Sequence, residues 1–75
     1  MTFVFEMSNN EKIRNEIMDL RDMRVRIQRK VAELEDKEFW EPDAFTPNDR
    51  EWLLYYKADI ARIKAQEQVL RNRMR

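Results

Sequence analysis

Chemistry in this chain would have to come from carboxylates, lysines, arginines and tyrosines, because it contains no histidine, no cysteine and no glycine. That inventory removes the ordinary imidazole base, the thiolate nucleophile and the Cys/His set of a structural zinc. It also removes the glycine-rich loops that cradle phosphates or dinucleotides. The densest carboxylate group, Glu33, Glu35, Asp36 and Glu38, has the donor atoms of a weak magnesium site,. A run of charge on a helix is more often a solvated face. The expectation is therefore a protein that is not an enzyme and that takes no metal and no cofactor.

Two other groups of residues stand out. The stretch FWEPDAFTPNDREW, Phe39 to Trp52, followed by Tyr55 and Tyr56, gathers six of the eight aromatic rings at one place in the chain, among prolines and acids. Phe39, Phe45, Trp52 and Tyr56 are expected to form a local mini-core that covers the helix ends. Trp40, Leu54 and Tyr55 fall off any such core, and with Glu41 and Asp43 on the rim they make a candidate protein-binding patch. The second group, Arg21, Arg24, Arg26, Arg29 and Lys30, raises nucleic acid as the alternative partner. Its plainer reading is a solvated helix face with i, i+4 pairs such as Asp22 with Arg26.

The elements that must hold these groups are helices. SNNE places Ser8 as N-cap and Glu11 at the third helical position, a capping box that opens the first helix,. From there Ile13, Leu20, Ile27 and Leu34 hold heptad position d, while Ile17, Arg24 and Val31 hold a,. Thr46, Pro47 and Asp49 form the second start signal, followed by Leu53, Tyr56, Ile60, Ile63, Glu67, Leu70 and Met74 at the same spacing,. The fold class is all-α: an antiparallel αα-hairpin of two long amphipathic helices, about 9–38 and 47–74, around an aromatic, acidic turn at 39–46. Residues 1–7, MTFVFEM, read as a short extended arm with Phe3 and Phe5 on one side,.

A hairpin closing at Asp43 or Ala44 sets Leu34 opposite Leu53, Val31 opposite Tyr56, Ile27 opposite Ile60, and Leu20 opposite Glu67. Arg24 then faces Ile63, one layer from Glu67, so the two charges in the seam have opposite sign and lie within reach. They are expected to pair and to fix the register.

Length limits what this layer can do alone, since 75 residues without disulfide or metal bury too little apolar surface to offset the entropy of ordering,. Self-association is the expected remedy. Met18, Val25, Ala61 and Ala65 lie off the seam, and with Phe3 and Phe5 they are the candidate oligomer contacts for a homodimer in the form of a four-helix bundle. Charge is segregated: residues 33–51 carry eight acids and two bases, whereas 10–30 carry seven bases and four acids and 57–75 six and two. The chain is neutral as a whole, so net charge argues for no partner class,. No apolar run reaches membrane-spanning length, and the first residues lack the pattern of a signal peptide, which leads to the expectation of a cytoplasmic protein with no membrane partner.

Three resemblances bear on function. IRNEIMDL and DREWLL resemble helix segments of the all-helical chorismate mutases, which would give Arg14 and Arg50 to the site. The matching mid-helix position here is Val31, and the third helix is absent, so the site the resemblance implies is incomplete. In layout the chain is similar to the plasmid copy-number protein Rop, a hairpin that dimerises and binds paired RNA loops, and that resemblance implies a nucleic-acid binder. The aspartyl-phosphate phosphatases of the sporulation type are similar in hairpin layout, but their signature tract is not found around Tyr55 to Asp59. The functional expectation is a small protein–protein interaction module, an adaptor, inhibitor or accessory factor of bacterial or phage type. The alternatives are a Rop-like nucleic-acid binder and a structural assembly subunit.

Overall fold

The computed structural model describes residues 9–74 and consists of α1 (Asn9–Trp40), a 3₁₀ turn (Pro42–Ala44) and α2 (Pro47–Arg73). The arm expected at 1–7, with Phe3 and Phe5, and the Ser8 cap lie outside the described residues. α1 and α2 pack against each other. Their direction follows from two ion pairs: Lys37 meets Asp49 close to the turn at 2.9 Å, and Arg24 meets Glu67 far from it at 3.0 Å. Helices that approach in that order run antiparallel.

α1 continues two residues beyond the expected end at Glu38. What stops it is not the loss of heptad pattern but Pro42, which has no N–H to give and pushes the residue before it out of helical conformation. Glu41 accordingly sits at φ −133°, ψ 57°. Its amide still donates to the Lys37 carbonyl at 2.8 Å, so the last turn of α1 is closed. Phe39 and Trp40 thus belong to the helix rather than to the turn.

A chain with no glycine must reverse without left-handed residues, and none of the described residues has positive φ. The reversal is made by one 3₁₀ turn followed by extended Phe45 and Thr46. α2 then begins as expected. The Thr46 hydroxyl accepts from the Asp49 amide at 3.0 Å, and the Asp49 carboxylate accepts from the Thr46 amide at 3.1 Å. Pro47 occupies the first helical position, where a missing donor costs nothing,.

Every apolar residue of the two heptad stripes is buried or half-buried, from Ile13 to Leu34 on α1 and from Leu53 on α2 to Met74 at its C-cap. The core they form is thin. Among the described residues only Val31, Leu53 and Ile63 are buried apolar residues, at 9, 6 and 5% exposure, and none falls below 2%. Two helices touch along one line, so most seam residues keep one side open to solvent. Among the described residues no helix is long and apolar enough to cross a membrane.

Candidate interaction surfaces

The charged pair in the seam forms as the register requires. Arg24 Nε donates to Glu67 Oε2 at 3.0 Å, with the carboxylate side chain 6% exposed and the arginine 20%. Glu67 Oε1 is buried without a hydrogen-bond partner. The pair is therefore lopsided, with a sunken carboxylate held through one oxygen and a guanidinium that still reaches water.

A second contact, between Lys37 and Asp49, was not foreseen from the sequence. Lys37 Nζ donates to Asp49 Oδ2 at 2.9 Å, so one carboxylate both caps α2 and ties the end of α1 to its start. The Lys37 hydrogen bond, followed by the bond from the Thr46 amide, holds the Asp49 carboxyl below the ordinary aspartate value,. Asp49 was legible as a capping residue, but nothing local in the sequence named its partner.

The aromatic residues do not form the closed mini-core that was expected. Phe39 is 74% exposed and Trp52 48%, whereas Phe45 and Tyr56 are half-buried. The reason is angular. Phe39 lies at the end of a helix whose facing element has already turned away, and Trp52 lies beside the seam position held by Leu53. Trp40, Leu54 and Tyr55 are exposed as expected, at 75, 62 and 56%, and so are Glu41 and Asp43.

These rings sort into two groups. Phe39 and Trp40 meet edge to face, with centroids 4.8 Å apart. On α2, Trp52 stacks on Tyr56 at 5.6 Å and meets Tyr55 edge-on at 5.8 Å. Lys30 Nζ stands 5.5 Å from the Tyr56 ring centre, within cation–π range,. Trp40 and Tyr55 therefore have different ring partners, and Leu54 is turned about 100° from Tyr55 around the helix. The single patch read from the sequence is split into a tip (Phe39 and Trp40) and a flank (Trp52, Tyr55, Tyr56), and Leu54 belongs to neither ring group.

Two grooves run along that flank. The one near the turn is lined by Lys30, Glu33, Leu34, Lys37, Trp52 and Tyr56. The one near the open end, away from the turn, is lined by Leu20, Arg62, Ala65, Gln66, Val69 and Leu70 and is almost wholly apolar. Of the other off-seam residues expected to make oligomer contacts, Met18 and Ala61 are exposed and Val25 is half-buried. Met18 and Val25 share a groove with Arg21, Asp22, Arg26 and Arg29. Ala65 alone of these four lines the apolar groove.

No protein-family model, no curated protein and no solved structure matches this chain.

Proposed function

We propose that the chain is a small cytoplasmic protein–protein interaction module, self-associating through a four-helix bundle and working by contact as an adaptor, inhibitor or accessory factor of bacterial or phage type. One observation carries this reading: the exposed Phe39–Trp40 ring pair at the tip of a hairpin, rimmed by Glu41 and Asp43. Aromatic residues with no structural duty, ringed by charge, are the usual anchors of a protein interface. The tip supplies them on a rigid helix end.

The test compares the chain with its Trp40→Ala/Tyr55→Ala and Trp40→Ala/Leu54→Ala variants as bait against a bacterial lysate. The expected result is a protein retained by the parent and lost by both variants, with circular dichroism unchanged in both and oligomeric state unchanged in Trp40→Ala/Leu54→Ala. Unfolding of the variants would assign the rings to the hairpin's own core and end the reading.

A second reading has its own observation. The register sets Arg14 opposite Arg71 and Arg21 opposite Lys64 along the other flank, like charges where paired helices ordinarily carry opposite ones,. All four are exposed, Lys57 extends the row, and Lys64 and Arg71 line one groove with Gln68 and the Arg24–Glu67 pair. Such a row suits the phosphates of a nucleic acid, with affinity that falls steeply as salt rises, by a slope of about −0.9 per phosphate neutralised. A gel shift with duplex RNA and DNA across a salt series tests it. No shift at low salt would remove nucleic acid from consideration.

A further inference from the structure

We propose that the flank bearing Trp52 and Tyr55 is the docking face for a second copy of the chain, and that the two hairpins lie antiparallel, the turn of each against the open end of the other. This inference rests on the self-association proposed above and specifies its face and its direction.

The face is chosen by charge and by apolar content together. Across the seam on this flank the register places Glu16 near Arg73 and Lys30 near Asp59, opposite signs at both levels, while the other flank carries the like-charged rows. A second copy on the balanced flank meets little net repulsion; on the basic flank it would bring two rows of unpaired cations together. The balanced flank also holds the exposed side chains whose burial would repay association: Trp52 at 48%, Tyr55 at 56%, Val69 at 50% and Met23 at 52% exposure. It carries both an apolar protrusion, the Trp52–Tyr55–Tyr56 cluster, and an apolar groove, Leu20–Ala65–Val69–Leu70, at opposite ends.

Direction follows from where these two features lie. A two-fold axis perpendicular to the helices that sets Trp52 on Val69 of the second copy also sets Tyr55 beside its Gln66 and Asp59 opposite its Arg62. That axis crosses α2 between Ile60 and Ala61. On α1 the pairs that suit the same flank are Glu16 with Lys37 and Met23 with the Lys30 stem, and their axis crosses between Arg26 and Ile27. The two crossing points face each other, because Ile27 lies opposite Ile60 in the hairpin. One axis thus serves both helices, fills the groove of each copy with the rings of the other, and keeps α1 and α2 overlapped along nearly their full length. The parallel alternative would set ring cluster on ring cluster and bring two ends together that each carry eight acids against two bases,.

The chain contains no cysteine, so a single Asn48→Cys substitution at an exposed position of the first turn of α2 gives one clean site for a spin label. Dipolar distance measurement on the labelled full chain, with sedimentation equilibrium on the same sample, tests face and direction together. In the antiparallel dimer the two labels sit at opposite ends, about 40 Å apart from a rise of about 1.5 Å per residue. A label distance near 20 Å or below, with a dimer in sedimentation, would overturn the antiparallel arrangement and leave self-association standing. A monomer with no dipolar signal up to millimolar concentration would overturn self-association itself. The face is tested by Trp52→Ala and, on the opposite flank, Lys57→Ala: the first is expected to raise the dimer dissociation constant at least tenfold with helicity preserved, the second to leave it unchanged. Equal effects of the two would reject the face.

Discussion

A buried carboxylate with one bonded oxygen and one orphan is stable only while its cation stays, so Arg24 and Glu67 should respond unequally to truncation. Arg24→Ala strands Glu67 in the seam and is expected to cost about 3 kcal/mol or more. Glu67→Ala frees a guanidinium that already reaches solvent and is expected to cost about 1–2 kcal/mol. Arg24→Leu with Glu67→Met should be neutral or stabilising, and urea denaturation of the full double-mutant cycle measures all three changes. Additive single effects would mean that the pair does not act as a unit. Asp49 makes a different prediction, in pH. Its carboxyl is held below the ordinary value of 3.8 by Lys37 and Thr46, so its contribution is present in full at neutral pH and is lost as pH falls through the depressed folded value,. Stability measured from neutral pH down to about 2 should fall less steeply in Asp49→Asn than in the parent on the acid side. A parallel acid limb in the two proteins would show that the Lys37–Asp49 contact contributes nothing.

At the scale of the element, the turn shows how a chain reverses without glycine. Pro42 ends α1, Pro47 starts α2, and between them one 3₁₀ turn and two extended residues complete the change of direction with no left-handed backbone. The capping box is the part of this device that a single substitution isolates. Thr46→Ala removes the oxygen that receives the Asp49 amide and is expected to destabilise by about 0.5–2 kcal/mol in chemical denaturation,. Amide exchange at Asp49 should quicken by more than exchange at mid-helix positions such as Ile63. Uniform quickening along α2 would indicate a global effect instead of a fraying first turn.

At the scale of the molecule, the number of buried side chains is the controlling fact. Three buried apolar residues and one buried glutamate among the described residues are a small core for so long a hairpin. If that core is completed by a second copy, folding and association are one equilibrium and the melting temperature depends on concentration. A hundredfold increase in protein should raise it by about 5–10 °C, from the 2.7 kcal/mol of mass action and the usual entropy of a domain of that combined size. Thermal melts across that range check the point. A constant melting temperature would mean that each hairpin folds alone. Added salt should lower the same melting temperature, because the acidic turn of one copy then lies on the basic end of the other.

The two helices, their antiparallel pairing, the α2 cap and the Arg24–Glu67 contact were all readable from the chain, because each rests on heptad spacing or on a capping signal confined to a few neighbouring residues. Where α1 ends was misread by two residues because the pattern fades before Pro42 acts. The Lys37–Asp49 tie joins residues whose proximity depends on how the turn is closed, which no periodicity reports. Ring placement was likewise decided in three dimensions: Trp40 and Tyr55 look like neighbours when only exposure is considered, yet the helical angle gives one to Phe39 and the other to Trp52. Spacing along the chain determines which face a residue occupies. Which faces then meet, and which stay open for a second chain, is set by the crossing of the two helices and by the geometry of the turn between them.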